Sequence, residues 1–220
     1  SDAPLWFIVA CKELIQKEND SAWLREVCGR RTVQDIIKAI VSAYINGTSN
    51  GIKMDAETGL IYSPSHYTWM DTNHPAGTPR EGYPIEIQAL WYGALQFLST
   101  MDSKDSRWKR LAEKVQKSIG EFFWLAPGHY LSDCLHAGQG TPVREAKADD
   151  ALRPNQLLAI TMGAMKNPHM CRNILETCQE LLVPGAIRSL ADRPLRYPLK
   201  IIHKGQNLSD PHQPYKVRYE

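Results

Sequence analysis

The chain has 220 residues, 43% of them hydrophobic, and is therefore long and apolar enough to bury a sizeable core. Its 26 basic residues nearly balance its 24 acidic ones and are dispersed rather than gathered with aromatic residues, which argues against nucleic acid as the partner. No uninterrupted apolar run approaches the roughly 18 residues that a membrane span requires, so the composition indicates a soluble globular protein with no membrane partner.

The cysteines indicate a reducing compartment. There are five of them, with no Cys-x-x-Cys pair, and an odd number fits buried free thiols better than a disulfide framework. The first residues enter an apolar stretch without a preceding basic region, so no secretory signal is predicted. A cytoplasmic location follows, and the missing initiator Met suggests an excised fragment.

The first third of the chain predicts two helices and a hairpin. The segment from Pro4 to Lys17 is apolar almost all round, which is typical of a buried helix. From Thr32 to Ile45 the apolar residues form one stripe with polar residues opposite, which predicts a helix with one exposed face. The segment from Ile52 to Tyr62 is typical of a short β-hairpin that turns between Asp55 and Gly59.

The pairing of a buried helix with a one-faced helix recurs twice, at Pro84 to Leu98 with Asp105 to Phe123, and at Pro154 to Met165 with Asn167 to Leu182. An α/α toroid requires such alternation, because its inner helices touch protein on every side while its outer helices face water. We therefore predict an all-α fold, an incomplete α/α toroid of the (α/α)6-barrel type. It would comprise about three inner/outer helical hairpins, with the short β-hairpin in a loop.

A domain boundary is predicted after Leu190, where the composition turns to Pro, Arg, Lys and His. Residues 1–190 would form the partial barrel. Residues 191–220 would form an extended or poorly ordered tail that leads to the rest of the barrel.

One end of the ring is the expected position of a site. Pro4, Pro84 and Pro154 each lie in the first turn of a predicted inner helix, where a missing N–H costs nothing, so they mark the same end. We call this end the mouth. Two long loops, Asn46 to Tyr83 and Leu125 to Leu152, lead into it, and loops of this length in a compact domain are usually functional.

The first loop carries the most informative motif. Thr68-Trp69-Met70-Asp71 is followed by Thr78-Pro79-Arg80 and then by the helix that begins near Glu86. Carbohydrate chemistry uses this mixture, because sugars present apolar C–H faces to aromatic rings and hydroxyls to charged groups. Cleavage of a glycosidic bond also needs a carboxylic acid as proton donor.

These residues resemble the amylo-α-1,6-glucosidase domain of glycogen debranching enzymes. The resemblance extends to Asp2-Ala3-Pro4-Leu5-Trp6-Phe7-Ile8 and to Leu152-Arg153-Pro154-Asn155-Gln156-Leu157, in the family's order. It implies an inverting glycoside hydrolase that acts on the α-1,6 branch points of glycogen or limit dextrin, with no cofactor and no metal. It also implies a barrel that begins before Ser1 and continues past Glu220. The uncovered helical faces of such a fragment would promote self-association.

By the resemblance, Asp71 is the general acid, and the general base is a glutamate beyond the last residue of this chain, so the isolated fragment is expected to be inactive. Burial beside Trp69 would raise the pKa of Asp71 and keep it protonated near neutral pH. The alternative is that Asp71 caps the turn that follows it. The predicted substrate-binding residues are Asp2, Trp6, Trp69, Arg80, Glu86, Trp91, Arg153, Asn155 and Gln156.

Each polar candidate could also have a purely structural role. Glu86 could rival the general base, but a carboxylate in the first turn of a helix is also favoured by the helix dipole, so we assign it to sugar hydroxyls. Arg80 could bind sugar hydroxyls or form a structural ion pair with Glu86 or Asp71. The polar residues around Pro154 could bind ligand or satisfy loop carbonyls.

Asp149-Asp150 resembles an acidic metal motif but has no second acidic cluster or histidine at ligand spacing, which favours a role in a loop or at a helix start. His66, His74 and His136 lie in the predicted mouth loops and give a weak signal for substrate contact.

Two other function classes stay open. A carbohydrate-binding or scaffold protein could keep the toroid and its aromatic mouth without cleaving anything, and the missing second carboxylate favours it. A terpenoid cyclase, a weaker alternative, would need acid-rich magnesium motifs.

Overall fold

The structure is a computed structural model that describes residues 1–70, 78–196 and 201–208. Six α-helices lie within these ranges. They are α1 (Asp2–Glu18), α2 (Val33–Asn46), α3 (Ile85–Met101), α4 (Ser106–Phe122), α5 (Leu157–Thr161) and α6 (Pro168–Cys178). Short 3-10 helices occupy Ala22–Arg25, Val143–Glu145, Pro154–Gln156 and Gln179–Leu181.

The described strands are two or three residues long and pair in antiparallel fashion. They are β1 (Val27–Cys28), β2 (Arg31–Thr32), β3 (Lys53–Met54), β4 (Ile61–Tyr62), β5 (Gly82–Pro84), β6 (Trp124–Leu125), β7 (Tyr130–Leu131), β8 (Cys134–His136), β9 (Lys147–Ala148), β10 (Leu182–Val183), β11 (Ala186–Ile187), β12 (Ile202–His203) and β13 (Gln206–Asn207). Five pairs form hairpins, and β5, β8 and β9 form a three-stranded sheet in the order β5-β8-β9.

The helices predicted as outer ones, α2, α4 and α6, each begin at a side chain that caps them. Thr32 accepts a hydrogen bond from the backbone of Asp35, and Asp35 accepts one from the backbone of Thr32, so α2 starts with a capping box. Asp105 caps α4, and Asn167 caps α6, directly before a proline at the first helical position. These starts lie within a residue or two of the predicted ones.

Helix α3 lies at the centre of the core. It packs against α1, α4 and α5, and its side chains are buried on every face from Ile85 to Leu95. Helix α4 covers it from outside through a stripe that includes Trp108, Val115 and Ile119. The predicted alternation of a buried helix and a one-faced helix is thus confirmed for this pair.

The prediction for the first helix is wrong in one respect. Helix α1 buries Leu5 and Ile8 but leaves Trp6, Phe7 and Leu14 about 40% exposed. Because α1 packs against α3 along one side, only that side of its apolar surface is covered.

The third inner helix is shorter than predicted. A 3-10 turn at Pro154–Gln156 precedes α5, which ends at Thr161, and Gly163 adopts a left-handed backbone conformation with φ of 76°. Glycine permits this conformation without strain, and the chain then turns towards α6.

The predicted hairpin is confirmed as β3–β4, with Met54 opposite Ile61. The other short sheets were not predicted, so the all-α description needs correction: the fold is mainly helical with small antiparallel sheets. Of the predicted tail, residues 191–196 and 201–208 are described, and β12 and β13 pair within it. In the described part of the chain, no helix has the length and apolar character to cross a membrane.

Candidate functional site

Helices α1, α3 and α5, which the sequence predicts as inner helices, begin around one segment, residues 63–70. The Ser1 hydroxyl lies 2.7 Å from that of Ser63, at the start of α1. The Ser63 amide donates to the Gly82 carbonyl at 2.7 Å, just before α3. The Trp69 indole donates to Asn155 at 3.0 Å, just before α5. This segment therefore contacts the N-terminal ends of α1, α3 and α5.

The three-stranded sheet fixes the start of α3. Pro84 lies opposite Cys134, and Gly82 lies opposite His136. Gly82 has a φ of 127°, and a Cβ atom there would lie 2.2 Å from the Leu135 carbonyl oxygen. Glycine is required at this position, because the neighbouring backbone leaves no room for a side chain.

A fully buried arginine organises the site. The Nε of Arg80 donates to the Asp133 carboxylate at 2.6 Å, and its terminal nitrogens pair with both carboxylate oxygens of Glu86. Burial alone would lower the pKa of Arg80, but Asp133 and Glu86 raise it well above its ordinary value. Burial also raises the pKa of Glu86, and the guanidinium of Arg80 opposes that shift. The Arg80–Glu86 pair corresponds to the structural alternative given above.

A second buried arginine approaches the same aspartate. The Nε of Arg153 lies 3.4 Å from the Asp133 carboxylate without a hydrogen bond to it, and a terminal nitrogen donates to the Ser189 carbonyl at 3.2 Å. Burial lowers the pKa of Arg153, and Asp133 acts in the opposite direction. Asp133 therefore lies between two guanidinium groups.

Asn155 connects this cluster to the segment of residues 63–70. Its Nδ2 donates to Asp133 at 2.7 Å and to the sulfur of Met70 at 3.6 Å, while its Oδ1 accepts from Trp69. Asn155 is buried, whereas the Trp69 side chain is 51% exposed. The indole is thus anchored at its nitrogen and accessible over much of its ring.

His136 and Asp149 form a neighbouring pair. The Nε2 of His136 lies 2.7 Å from a carboxylate oxygen of Asp149, whose other oxygen accepts from the Ala151 amide at 3.2 Å. Burial raises the pKa of Asp149, and the hydrogen bond from His136 opposes this shift. No group of three His, Cys, Asp or Glu side chains that could hold a metal occurs among the described residues.

The remaining candidates lie in varied surroundings. Gln156 is buried and bonds to the Leu131 amide and the Arg153 carbonyl. Trp91 is fully buried and donates to the Gly59 carbonyl at 3.0 Å, so its ring packs in the core without a face towards solvent.

At the start of α1, Asp2 accepts a hydrogen bond from the Ala3 amide, and Trp6 is 41% exposed. Asp71, the predicted acid, and His74 lie outside the described residues, which end on this side at Met70. The role of Asp71 stays a prediction.

The sequence analysis missed Asp133. Arg80 and Asn155 donate hydrogen bonds to its carboxylate, and Arg153 lies close to it. A signal was present, because Asp133 is a lone acid between apolar residues in the stretch 130–137. A charged side chain in such a setting is buried only with partners.

Comparison with known proteins gives a family match and matches among solved structures. A family model described as amylo-alpha-1,6-glucosidase matches residues 1–213. Among solved structures, a GH78 family rhamnosidase of Bacillus sp. GL1 aligns with a TM-score of 0.51 and 15% sequence identity, over 77% of this chain and 16% of the rhamnosidase chain. At this identity the likeness shows the fold alone, and the chain spans less than a fifth of that protein. Curated protein sequences give no match.

Proposed function

Because the chain belongs to the amylo-alpha-1,6-glucosidase family, we propose that it is part of a glycoside hydrolase that cleaves the α-1,6-glucosidic branch points of glycogen or limit dextrin. The fold likeness to a rhamnosidase supports a glycoside-hydrolase-like domain. In this proposal the helices belong to an α/α toroid, and the mouth holds the terminal glucose of the branch.

The observation that carries the proposal is the anchored ring of Trp69. Half of this side chain is exposed, its indole nitrogen is held by a buried amide, and it lies where three inner helices begin. An aromatic face fixed in this way suits stacking against the apolar side of a glucose ring.

Asp71 is proposed as the general acid. It follows Trp69 by two residues, within the stretch 68–71 that resembles the acid motif of the family. The acid would protonate the departing glycosidic oxygen while water attacks the anomeric carbon from the opposite face, which inverts its configuration.

The general base is proposed to lie outside this chain. In an inverting enzyme the base stands about 6.5–9.5 Å from the acid and must be free to activate water. The buried carboxylates of Glu86, Asp133 and Asp149 are each engaged by cationic or amide partners. None of the three is arranged as a free base.

A branched α-glucan is the proposed partner, and the cytoplasm, where glycogen-type glucans are stored, is the proposed location. The exposed apolar residues of α1 favour self-association of the chain. A non-catalytic carbohydrate-binding protein is the second candidate, and the engaged carboxylates favour it.

The test is the Asp71→Asn substitution in a longer enzyme that contains this chain together with the proposed general base. Asn keeps the shape of the side chain but cannot deliver a proton, so turnover of branched dextrin should fall by about two to four orders of magnitude. A glucosyl fluoride, whose leaving group needs little protonation, should be affected much less. Glucose release is the measurement, and Asp102→Asn is the control, because Asp102 forms an ion pair with Lys38 in which both side chains are about one-third exposed.

Equal losses on both substrates, or no loss on dextrin, would reject Asp71 as the acid. Binding of glucan without any glucose release in the unchanged enzyme would favour the binding protein instead.

A further inference from the structure

We propose that Asn155 is a positioning residue: it holds the indole of Trp69 as a stacking surface for glucose and does not itself bind the sugar. The proposal rests on the proposed carbohydrate function. It assigns a different role to Asn155 from the direct sugar contact expected from the sequence.

The hydrogen-bonding groups of Asn155 are already occupied within the protein. A side-chain amide offers two N–H donors and one carbonyl acceptor. One donor is directed to the Asp133 carboxylate at 2.7 Å and the other to the Met70 sulfur at 3.6 Å, while the carbonyl accepts from Trp69 at 3.0 Å. The carbonyl oxygen has a second lone pair, but the side chain is only 5% exposed, so a sugar hydroxyl has little access to it.

The surroundings fix the orientation of this amide. If it were rotated by half a turn, the carbonyl of Asn155 would face the carboxylate of Asp133, and its NH2 group would face the N–H of Trp69. Both contacts would then be repulsive. Asp133 thereby selects the orientation in which Asn155 can accept from the indole.

The carboxylate of Asp133 is also bound through its other oxygen. Its second carboxylate oxygen accepts from Arg80 at 2.6 Å and lies 3.4 Å from Arg153. Arg80 is fully buried and paired with Glu86. The indole of Trp69 is thus connected through two buried side chains to a fixed ionic cluster.

An anchored indole improves binding because its ring need not be ordered when the sugar arrives. Immobilising a mobile interface side chain costs about 0.5–1.5 kcal/mol, which corresponds to roughly a two- to twelvefold loss of affinity. Met70, which follows Trp69, is contacted through its sulfur by the same amide.

The experiment is a double-mutant cycle on the 220-residue chain. Asn155→Leu removes the anchor at similar volume, and Trp69→Phe keeps an aromatic ring but removes the N–H. Calorimetric titration with a branched limit-dextrin oligosaccharide should show a roughly two- to twelvefold loss for each single variant, and little further loss for the double variant.

Gln88→Leu is the matched control. Gln88 is another buried amide, which bonds to the Ile61 backbone and has no hydrogen bond to Trp69. Its replacement should lower thermal stability while glucan affinity stays within about twofold of the unchanged chain. If Asn155→Leu acted only by loosening the fold, it would likewise lower thermal stability and leave glucan affinity almost unchanged.

A second readout needs no ligand. The indole N–H resonance of Trp69, identified by its disappearance in Trp69→Phe, should exchange slowly with solvent in the unchanged chain and much faster in Asn155→Leu. Losses of affinity that multiply in the double variant, or an exchange rate that Asn155→Leu does not change, would overturn the positioning role. Absence of glucan binding by the unchanged chain would instead overturn the proposed function, and the exchange measurement would still decide the role of Asn155.

Discussion

Replacing Glu86 by Gln tests the buried ionic cluster most directly. Arg80 has no exposed surface and Glu86 is 1% exposed, so neither charge can be solvated when its partner is lost. Gln is nearly isosteric with Glu, but its NH2 group would face a guanidinium nitrogen, and one of the two paired hydrogen bonds would become a donor–donor contact.

The expected loss of unfolding free energy in Glu86→Gln depends on the contacts that Arg80 keeps. Breaking a buried ion pair by removing one partner typically costs 3–5 kcal/mol. Here Arg80 keeps its hydrogen bonds to the Asp133 carboxylate at 2.6 Å and to the Asp133 carbonyl at 3.0 Å, so it is not left without a partner. We therefore expect the lower end, about 3 kcal/mol of unfolding free energy. For a chain of this size that corresponds to a fall of about 6–12 °C in Tm.

The assay is urea unfolding followed by far-UV circular dichroism, with Asp102→Asn as the control. Asp102 pairs with Lys38 at 2.8 Å, but both side chains are about one-third exposed, and such pairs contribute at most about 1 kcal/mol. If Glu86→Gln destabilised the chain no more than Asp102→Asn does, the cluster would not be a buried, desolvated network, and the reasoning would be refuted.

Three further predictions concern the backbone, the thiols and the assembly of the chain. Gly82→Ala should abolish or severely weaken folding because its Cβ would overlap a backbone oxygen, whereas Gly120→Ala, with open space in α4, should stabilise by about 0.5–1 kcal/mol in thermal melts. Similar melting temperatures for the two glycine variants would contradict this prediction. Burial raises the pKa of Cys11 and of Cys178 to about 11, so at pH 8 a disulfide reagent should modify exposed Cys28 well before these two buried thiols. Because the raised pKa favours the protonated thiols in the folded state, their contribution to the unfolding free energy should be lost as pH rises from about 9 to about 11. Equal labelling rates for the three thiols would refute the assignment of Cys11 and Cys178 as buried. Finally, sedimentation should show concentration-dependent oligomers through uncovered apolar surface, and a strict monomer at high concentration would argue against this.

Periodicity in the sequence was sufficient to locate most helices. The stripes of α2 and α4 and the largely apolar sequence of α3 each gave the right element, because a helix that touches protein on one side or on all sides must show that in its residue pattern. The same reasoning overestimated the burial of α1, since an apolar surface does not reveal what covers it.

The sheets could not be predicted in this way. Strands of two or three residues are too short to show an alternating pattern, and β5, β8 and β9 are brought together over long separations in sequence. The hairpin β3–β4 was the exception, because its turn residues gave a local signal.

The candidate site was only partly visible for the same reason. Trp69, Arg80 and Asn155 stood in recognisable motifs, but Asp133 lies 53 positions from Arg80 and 22 from Asn155. Its importance depends on three-dimensional contacts that no local window contains. Sequence patterns therefore indicated Trp69, Arg80 and Asn155 as candidates, while the contacts that join them through Asp133 required the structure.

The enclosure of α3 has a consequence for amide hydrogen exchange. With α1, α4 and α5 packed around it, the backbone of α3 can meet solvent only when the whole core opens, so its amides should exchange at the rate of global unfolding. The hairpin β10–β11, with Leu182 62% exposed, should exchange by small local openings. A destabilising substitution in the core would then speed exchange in α3 and leave that hairpin almost unchanged.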